Sequence, residues 1–437
     1  MKRIKLLAVL FFAVCMAVSA EVAHAAGKLM AGTAKVVITP PTPRRTVNDP
    51  LYARSLILES DGTRIAFISL DLGGYTNPTL LETLKKKYNL TELFFCPSHN
   101  HSSETGPREF MEQQLDKVMG DASRGMFEAK ISGGWRYFPQ LSFNRLVVRD
   151  DGHAREAWYS DPNGHYRYGN AERIPFGDVD PSVGMIRLDD MQGNPRVLMM
   201  NYACHPDALV AIPSLTSAEY VGFATKYTEE AFDNKVNCLF VQGGAGNQGS
   251  LFKTPTNGET PEAFLAMIER MGTLLGIEAV KLARELYPSP YDDASIKLMT
   301  DSIKMPNRFD PNIANAHFST IIINGHYAIA TFPGEPFIKF QLDWKREMGK
   351  VAVVPFFFGY TWNGGDWPTY VPDVRSAALG GYGADWGPVR APESGEALMN
   401  RHLLNYYKIS GLYRTTQGPG DHRLDNGRVI WTPDWMR

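Results

Sequence analysis

The sequence predicts an α/β protein in which a mixed β-sheet core is flanked by helices within a single large domain. Short runs rich in Val, Ile and Phe alternate along the chain with longer segments of helical character, as expected when strands and helices alternate. No Pro/Gly/Ser-rich linker divides the chain. The 437 residues are 44% hydrophobic and 21% charged, which is typical of a globular protein with a large core.

The predicted elements follow from residue patterns and from the residues at their ends. Asn77-Pro78 and Thr260-Pro261 each place a capping side chain before a proline at the first helical position, which favours a helix start. The segment 120–179 has weak periodicity and is predicted to be an elaborated loop region over one face. Strands are predicted over 34–38, 55–58, 65–70, 93–96, 183–188, 197–202, 238–241, 320–323, 327–331 and 351–358, and helices over 78–87, 107–119, 218–232, 261–286, 336–348 and 393–407.

Residues 1–26 are predicted to be a secretory signal peptide. Three basic residues within the first five positions precede an apolar run over 6–18, and an Ala-His-Ala cleavage motif ends at Ala25, which together define such a signal. The apolar run is shorter than a membrane-spanning helix requires. The mature chain, 27–437, is therefore expected to be secreted or periplasmic.

Charge and cysteine content narrow the class of protein further. A net charge of −2 provides no broad basic field, so nucleic acid is not expected as a partner. The mature chain contains Cys96, Cys204 and Cys238, which allow at most one disulfide, and sequence alone leaves open whether one forms. Their apolar, strand-like surroundings favour buried, inert thiols over a catalytic cysteine.

The stretch 91–108, TELFFCPSHNHSSETGPR, is the feature around which the functional prediction is built. An apolar strand-like segment runs directly into a polar loop that carries His99 and His101. Residues two apart in extended backbone point to the same side, so both imidazoles can face one pocket beyond the strand end. Imidazole is the commonest metal ligand in proteins. The pattern therefore indicates a metal site, with a solvated surface loop as the alternative interpretation.

Further polar residues stand at other predicted strand ends. One apolar strand ends at Cys204-His205, and since adjacent strand residues face opposite ways, His205 faces a site if Cys204 faces the core. Glu335 follows a strand and precedes a helix, where a carboxylate is electrostatically favoured. A hydrogen-bonded structural histidine and a capping glutamate are the alternatives. Tyr370 and Tyr382 lie in an aromatic, glycine-rich stretch that is suited to lining a pocket.

A glycine-rich turn follows the strand predicted over 238–241. Gly243 and Gly244 allow peptide N–H groups to approach a ligand closely, and Asn247 lies in the same turn. The turn is not a phosphate-binding loop, because no Gly-Lys-Ser/Thr follows. It is a candidate binding element for an oxyanion, with a purely structural turn as the alternative.

Seven motifs occur in the order found in a known family. The chain resembles the catalytic domain of the neutral/alkaline non-lysosomal ceramidases over nearly its whole mature length. The motifs are AGTAKVVITPP at 31–41, SLDLGG at 69–74, SHNHSSETGP at 98–107, NYACHPDAL at 201–209, SAEYVGFA at 217–224, FPGEPF at 332–337 and GYGADWGP at 381–388.

The resemblance implies an α/β catalytic domain that holds one zinc ion (Zn2+) by two histidines, a glutamate and a tyrosine. Carried over by position, these ligands are His99, His205, Glu335 and Tyr370, and the spacing from Glu335 favours Tyr370 over Tyr382. The best-known members hydrolyse the amide of ceramide. A lipid or other small-molecule substrate and transient contact with a membrane surface are therefore implied, whereas the oligomeric state is left open.

The remaining predicted roles belong to residues near the ligands. The resemblance implies that His101 lies near the reacting centre, where a side chain titrating near neutrality can shuttle a proton. The turn Gly243–Asn247 is a candidate donor of backbone N–H groups to an oxyanion. Asp71, which follows a predicted strand, is expected either to orient a ligand histidine or to cap a turn.

Two departures from the family bear on the substrate. The chain has Gln242-Gly243-Gly244 where the ceramidases carry a serine-containing run, and it is expected to lack their carboxy-terminal β-sandwich domain. We therefore expect an exported zinc-dependent hydrolase that cleaves an amide or ester with zinc-activated water. The alternatives are a hydrolase of another acyl, lactone or carbohydrate-linked substrate, and a non-catalytic binding protein that retains the fold.

Overall fold

The protein is described by a computed structural model for residues 27–138, 141–148, 151–156, 177–252, 260–291 and 294–415. The signal peptide predicted for 1–26 lies outside these residues. The largest element is a sheet of eight strands. They are β1 (Met30–Val37), β2 (Tyr52–Ser60), β3 (Thr63–Leu70), β4 (Glu92–Pro97), β5 (Phe127–Tyr137), β6 (Ser182–Asp190), β7 (Pro195–Tyr202) and β8 (Asn237–Gln242).

The eight-stranded sheet is mixed and runs in the order β8-β7-β6-β5-β1-β2-β3-β4. The β3–β4 and β7–β8 pairs are parallel, and the other neighbours are antiparallel. The strands of the two parallel pairs have nearly continuous apolar sequences, because they are buried on both faces of the sheet.

A second sheet packs against the first and has four strands in sequence order. The rings of Phe67 in the first sheet and Phe358 in the second meet edge to face with centroids 5.6 Å apart, within one shared buried core. The strands of the second sheet are β9 (Ile296–Pro306), β10 (Ile313–Ile323), β11 (Tyr327–Thr331) and β12 (Val354–Phe358).

Helices cover the outer faces of both sheets, which gives four layers. The helices are α1 (Pro78–Lys87), α2 (Arg108–Arg124), α3 (Glu219–Glu230), α4 (Pro261–Glu285), α5 (Ile338–Gly349), α6 (Val374–Leu379) and α7 (Ser394–Ile409). The pairs α1/α2 and α3/α4 bury their apolar faces against the first sheet. Helices α5 and α7 pack on the second. None of these described helices is both long and apolar enough to cross a membrane.

The predicted helices are confirmed, with ends that shift by a few residues. Asn77 and Thr260 accept hydrogen bonds from the backbone N–H groups of Leu80 and Ala263, so both predicted caps are present. The ten predicted strands are also found. The α/β class with a mixed sheet flanked by helices is therefore confirmed.

The prediction of a loop region over 120–179 is wrong for its first third. Helix α2 continues to Arg124, and β5 is an eleven-residue strand between β1 and β6. Gly133 and Gly134 interrupt its apolar pattern, because a Cβ at Gly133 would lie 3.1 Å from the ring of Phe356 in the second sheet. The part of the predicted loop over 157–176 lies outside the described residues.

The two ends of the first sheet approach each other close to the predicted site. The hydroxyl of Ser69 on β3 donates a hydrogen bond of 2.6 Å to the carbonyl of Phe240 on β8. Beyond the strand ends, the side-chain amide of Gln242 donates to the carbonyl of Ser98 at 3.0 Å. The carboxyl ends of β4, β7 and β8 therefore open toward one region.

Candidate metal centre

His99 stands two residues beyond the end of β4 in a left-handed backbone conformation, with φ of 66°. Its Nδ1 lies 2.9 Å from the carbonyl oxygen of Gly73. Because a carbonyl can only accept, Nδ1 carries the proton and Nε2 presents a lone pair in the neutral ring. Positive φ is uncommon for a non-glycine residue, and here it turns the imidazole away from the β4 core.

His205 is held in the same way by the glycine-rich turn. Its ring is fully buried, and Nδ1 lies 2.6 Å from the carbonyl oxygen of Ala245. Cys204 is buried in the apolar core, as expected if adjacent residues face opposite ways. Burial of the ring, together with the charge of Arg145, lowers the pKa of His205 to about 4. The ring is therefore neutral at pH 7.

Glu335 reaches the same point from the second sheet. It lies between β11 and α5, and its backbone N–H donates to the carbonyl of Thr369 at 2.8 Å. Gly334 precedes it with φ of 76°, and a Cβ there would lie 2.5 Å from the carbonyl oxygen of Thr369. The turn that presents Glu335 therefore requires glycine.

These three side chains converge in a geometry suited to a metal ion. Oε2 of Glu335 lies 3.1 Å from Nε2 of His99 and 3.5 Å from Nε2 of His205. All three atoms are buried and lack a hydrogen-bond partner among the described residues. Ligand atoms of a tetrahedral zinc site with bonds near 2.1 Å are about 3.4 Å apart. The two lone pairs and the carboxylate face one another, and a cation would relieve their repulsion.

The electrostatics of Glu335 agree with this arrangement. Burial opposes ionisation of the carboxyl group, but the imidazoles of His99 and His205, which attract the carboxylate when they are protonated, outweigh it and lower its pKa well below the usual range. A bound cation would supply that positive charge in their place. The carboxylate is therefore ionised. A buried anion requires compensating positive charge, which a bound cation supplies.

His101 completes a three-histidine cluster that could hold a metal ion. One ring nitrogen from each of His99, His101 and His205 lies within 4.8 Å of the others. The ring centroid of His101 is 4.7 Å from that of His99 and 5.7 Å from that of His205. The surrounding protein, reinforced by these two neighbours, lowers the pKa of His101 below its ordinary value. The His101 side chain is nevertheless exposed to solvent, and its role as a proton shuttle stays a prediction.

Tyr370 is adjacent to Glu335, but its hydroxyl has another partner. The two residues are Cα partners in a short parallel strand pair. The Tyr370 hydroxyl accepts a hydrogen bond of 3.1 Å from the buried guanidinium of Arg145, and Tyr382 packs edge to face on the Tyr370 ring at 5.3 Å. Burial raises the pKa of Tyr370 above its ordinary value, so its hydroxyl is protonated.

The predicted oxyanion role of the glycine-rich turn is not supported. The amide of Gly243 donates to the carbonyl of Tyr202 at 2.9 Å, and that of Gly244 donates to Oε1 of Gln341 at 2.8 Å. The side-chain oxygen of Asn247 accepts from the amide of Ile338, the first residue of α5. The turn therefore packs its polar groups into the fold and supports His205 through a carbonyl.

Asp71 has a different role from orienting a histidine directly. Its carboxylate accepts hydrogen bonds of 3.0 and 3.2 Å from the buried guanidinium of Arg54 and one of 2.9 Å from the amide of Tyr52. It therefore fixes the backbone two residues before Gly73, whose carbonyl positions His99. The cysteines follow the prediction, because Cys96, Cys204 and Cys238 are all free and buried.

Three residues at the site were not identified from sequence. Arg145 falls in the segment assigned as a loop, Tyr360 lies just beyond β12, and Gln341 is inside α5. The ring of Tyr360 lies 4.6 Å from that of His99. Gln341 is a buried polar residue inside a helix. The sequence around it does not distinguish it from an exposed glutamine. Its role depends on what the fold packs against it.

Together, the four-layer α/β/β/α arrangement and the pocket of histidines and one carboxylate define a neutral-ceramidase-like fold with a candidate metal centre. The crystal structure of neutral ceramidase from Pseudomonas aeruginosa matches with a TM-score of 0.68 and 13% identity, over 90% of this chain and 76% of that one. A ceramidase complexed with C2 matches with a TM-score of 0.69 and 12% identity, over 90% and 77% of the two chains. No sequence-family model matches the chain, and no curated protein matches it in sequence.

Proposed function

We propose that the protein is a zinc-dependent hydrolase of an amide or ester bond, exported by the signal at 1–26. The observation that carries the proposal is the convergence of two imidazole lone pairs on one buried carboxylate oxygen, at 3.1 and 3.5 Å. Two nitrogens and one carboxylate oxygen are a ligand set used by zinc in hydrolytic enzymes. The fold shared with ceramidases supports hydrolysis as the reaction class.

His99, His205 and Glu335 would hold the ion, with the Tyr370 hydroxyl beside them. When bound in such a site, zinc polarises a carbonyl group and lowers the pKa of a water molecule to about 7. The carbonyls of Gly73 and Ala245 hold the two rings with Nε2 facing the ion position. This orientation of both ligands before metal binding is the contribution of the protein fold.

Two further residues would act on the substrate. His101 would accept the proton that the attacking water gives up and pass it to the leaving group. Arg145 places a permanent positive charge 3.1 Å from the Tyr370 hydroxyl. That charge favours the oxygen-bearing end of a substrate on this side of the pocket.

The proposed substrate class is a ceramide-like N-acyl lipid. Support comes from the resemblance of the motifs and from the fold of two ceramidase structures. Such a substrate implies transient contact with a membrane surface during uptake. This chain has Gln242-Gly243-Gly244 where the ceramidases carry a serine-containing run. The difference is compatible with hydrolysis by water, because that reaction needs no protein nucleophile.

The test is elemental analysis of the purified mature protein beside a Glu335→Gln variant and a panel of fluorogenic N-acyl and ester substrates. The matched control is Glu92→Gln, which changes another buried glutamate, at the opposite end of β4 and paired with Lys85. We expect about one zinc per chain in wild type and control, and loss of zinc and activity together in Glu335→Gln. A folded wild-type protein that binds no zinc after reconstitution would refute the proposal.

A further inference from the structure

A substrate oxygen in the metal pocket requires a hydrogen-bond donor. Four backbone amides of the glycine-rich turn already donate to other groups of the protein. Besides the amides of Gly243 and Gly244, the amide of Gly246 donates to the carbonyl of Pro336 at 2.8 Å, and that of Ala245 donates to the carbonyl of Gly243 at 2.9 Å. These four consecutive donors point into the fold. These four amides are therefore not available to the oxygen.

Tyr360 is positioned to donate to this oxygen. It lies two residues beyond β12, next to Gly359, whose amide donates to the carbonyl of Gln242 at 2.9 Å. Its φ of 56° is unfavourable for a bulky side chain. This conformation directs the ring to the ligands, with its centroid 4.6 Å from that of His99 and 6.0 Å from that of His205.

The hydroxyl group of Tyr360 indicates what this side chain binds. The side chain is fully buried, and the hydroxyl has no hydrogen-bond partner among the residues that the structure describes. It shares this property with Nε2 of His99, Nε2 of His205 and Oε2 of Glu335. Buried polar atoms are nearly always paired, and one that is not calls for an explanation such as a ligand. Unpaired atoms on four neighbouring side chains of one pocket point to a common ligand complex.

We infer that the Tyr360 hydroxyl donates a hydrogen bond to the carbonyl oxygen of the substrate, and to the oxyanion that develops from it, in the metal pocket. This inference rests on the proposed function and adds a residue to it. The O–H group of a neutral tyrosine is a hydrogen-bond donor. The Tyr370 hydroxyl differs, because it already accepts from Arg145.

The experiment compares Tyr360→Phe, which removes the hydroxyl and keeps the ring, with wild type. The matched control is Tyr88→Phe, whose hydroxyl contacts Asp116 beside α1 and α2, outside the metal pocket. Zinc affinity is measured by competition with a chromophoric chelator. Binding of methylphosphonate to the zinc-loaded proteins is measured by calorimetry, because its tetrahedral oxygens resemble the developing oxyanion. Hydrolysis of the N-acyl and ester panel provides kcat and KM.

In Tyr360→Phe we expect unchanged zinc affinity, methylphosphonate binding weaker by about 10- to 100-fold, and a fall in kcat of similar size with little change in KM. The melting temperature of the metal-free variant should not fall, since the lost hydroxyl is unpaired there. The Tyr88→Phe control should match wild type in zinc affinity, methylphosphonate affinity and kcat.

Three outcomes would overturn the inference. Equal methylphosphonate affinity and equal kcat in Tyr360→Phe and wild type would show that the hydroxyl contacts no substrate oxygen. Weaker zinc binding by Tyr360→Phe would make the residue a metal ligand instead of a donor to the substrate. Failure of wild type itself to bind zinc would refute the proposed function, and the inference with it, so the two failures are distinguishable.

Discussion

Glu335 and Tyr370 are direct Cα partners in a parallel pair of two-residue strands, so the backbone places a carboxylate residue and a phenol residue side by side. The amide of Glu335 donates to the carbonyl of Thr369, and the amide of Phe337 donates to that of Val371. This short pair connects the start of α5 to the aromatic stretch that follows β12. Its geometry, more than either side chain alone, sets where the carboxylate of Glu335 stands.

The glycine before this strand pair provides a direct test of that geometry. Gly334→Ala should lower the free energy of unfolding by roughly 3 kcal/mol or more, since it combines positive φ with a clash against the carbonyl of Thr369. Gly62→Ala is the matched control, because Gly62 has φ of 74° but open space around it, and should cost about 1 kcal/mol. Denaturant unfolding measures both. Equal costs would show that the close approach is unimportant.

Loss of a ligand histidine should abolish the effect of zinc on stability. A ligand at one hundred times its Kd stabilises the folded state by about 2.7 kcal/mol. We expect that gain in wild type and in the control His326→Ala, which changes an exposed histidine, and no gain in His99→Ala or His205→Ala. Thermal unfolding with and without zinc measures the difference. Retention of the full gain in folded His99→Ala or His205→Ala protein would contradict the assigned ligands.

Gln341 should affect the metal through the turn that it holds. It accepts from the amide of Gly244 and donates to the carboxylate of Asp180 at 2.7 Å. Gln341→Leu should therefore cost about 1–3 kcal/mol of stability, because it leaves a buried amide unpaired. It should also weaken zinc binding, because the carbonyl of Ala245 that orients His205 lies next to Gly244 in the same turn.

The control for Gln341→Leu is Gln113→Leu, which changes an exposed glutamine on α2 and should alter neither property. Zinc affinity, measured by chelator competition, is the deciding quantity. A stability loss with unchanged zinc affinity would show that the turn positions His205 without help from Gln341.

Asp71 should be important for stability far more than for metal binding. Asp71→Asn removes the nearer of two carboxylates beside the buried guanidinium of Arg54, with Glu229 remaining 3.8 Å away, and we expect a loss of about 3 kcal/mol. The change in zinc Kd should stay within roughly threefold, because the carboxylate contacts no ligand histidine. Asp233→Asn removes an exposed ion pair with Lys235 and should cost under about 1 kcal/mol. A large loss of zinc affinity in folded Asp71→Asn would show that Asp71 does orient a ligand histidine.

Prediction from sequence succeeded where local pattern determines structure. Apolar runs such as 65–70 and caps such as Asn77 specify strands and helices without reference to the rest of the chain. The strand β5 was missed because its glycines are explained only by side chains packed across from them, such as Phe356 opposite Gly133 and Leu286 opposite Gly134. Likewise β9 is half-buried or exposed at most of its positions and carries two lysines, a pattern too polar to indicate a strand.

Some features of the candidate site could likewise be predicted from sequence, and others could not. Histidines beside a strand end, or a glutamate before a helix, are recognisable as candidates because their residue type and position are informative. The hydrogen bonds that the glycine-rich turn makes within the fold could not be predicted from sequence. The partners of Gly244 and Asn247 are in α5, about a hundred residues further along the chain. The lowered pKa of His101 is also a property of the assembled pocket, since it depends on His205.

The position of the three proposed ligands on two different sheets has a consequence for assembly. His99 and His205 follow strands of the eight-stranded sheet, whereas Glu335 follows β11 of the other. A bound ion therefore acts as a cross-link between two layers, comparable to a disulfide that closes a very long loop. No fragment containing only one sheet can form it, and the metal can be captured only after both layers have docked. Metal loading should consequently report on completed folding.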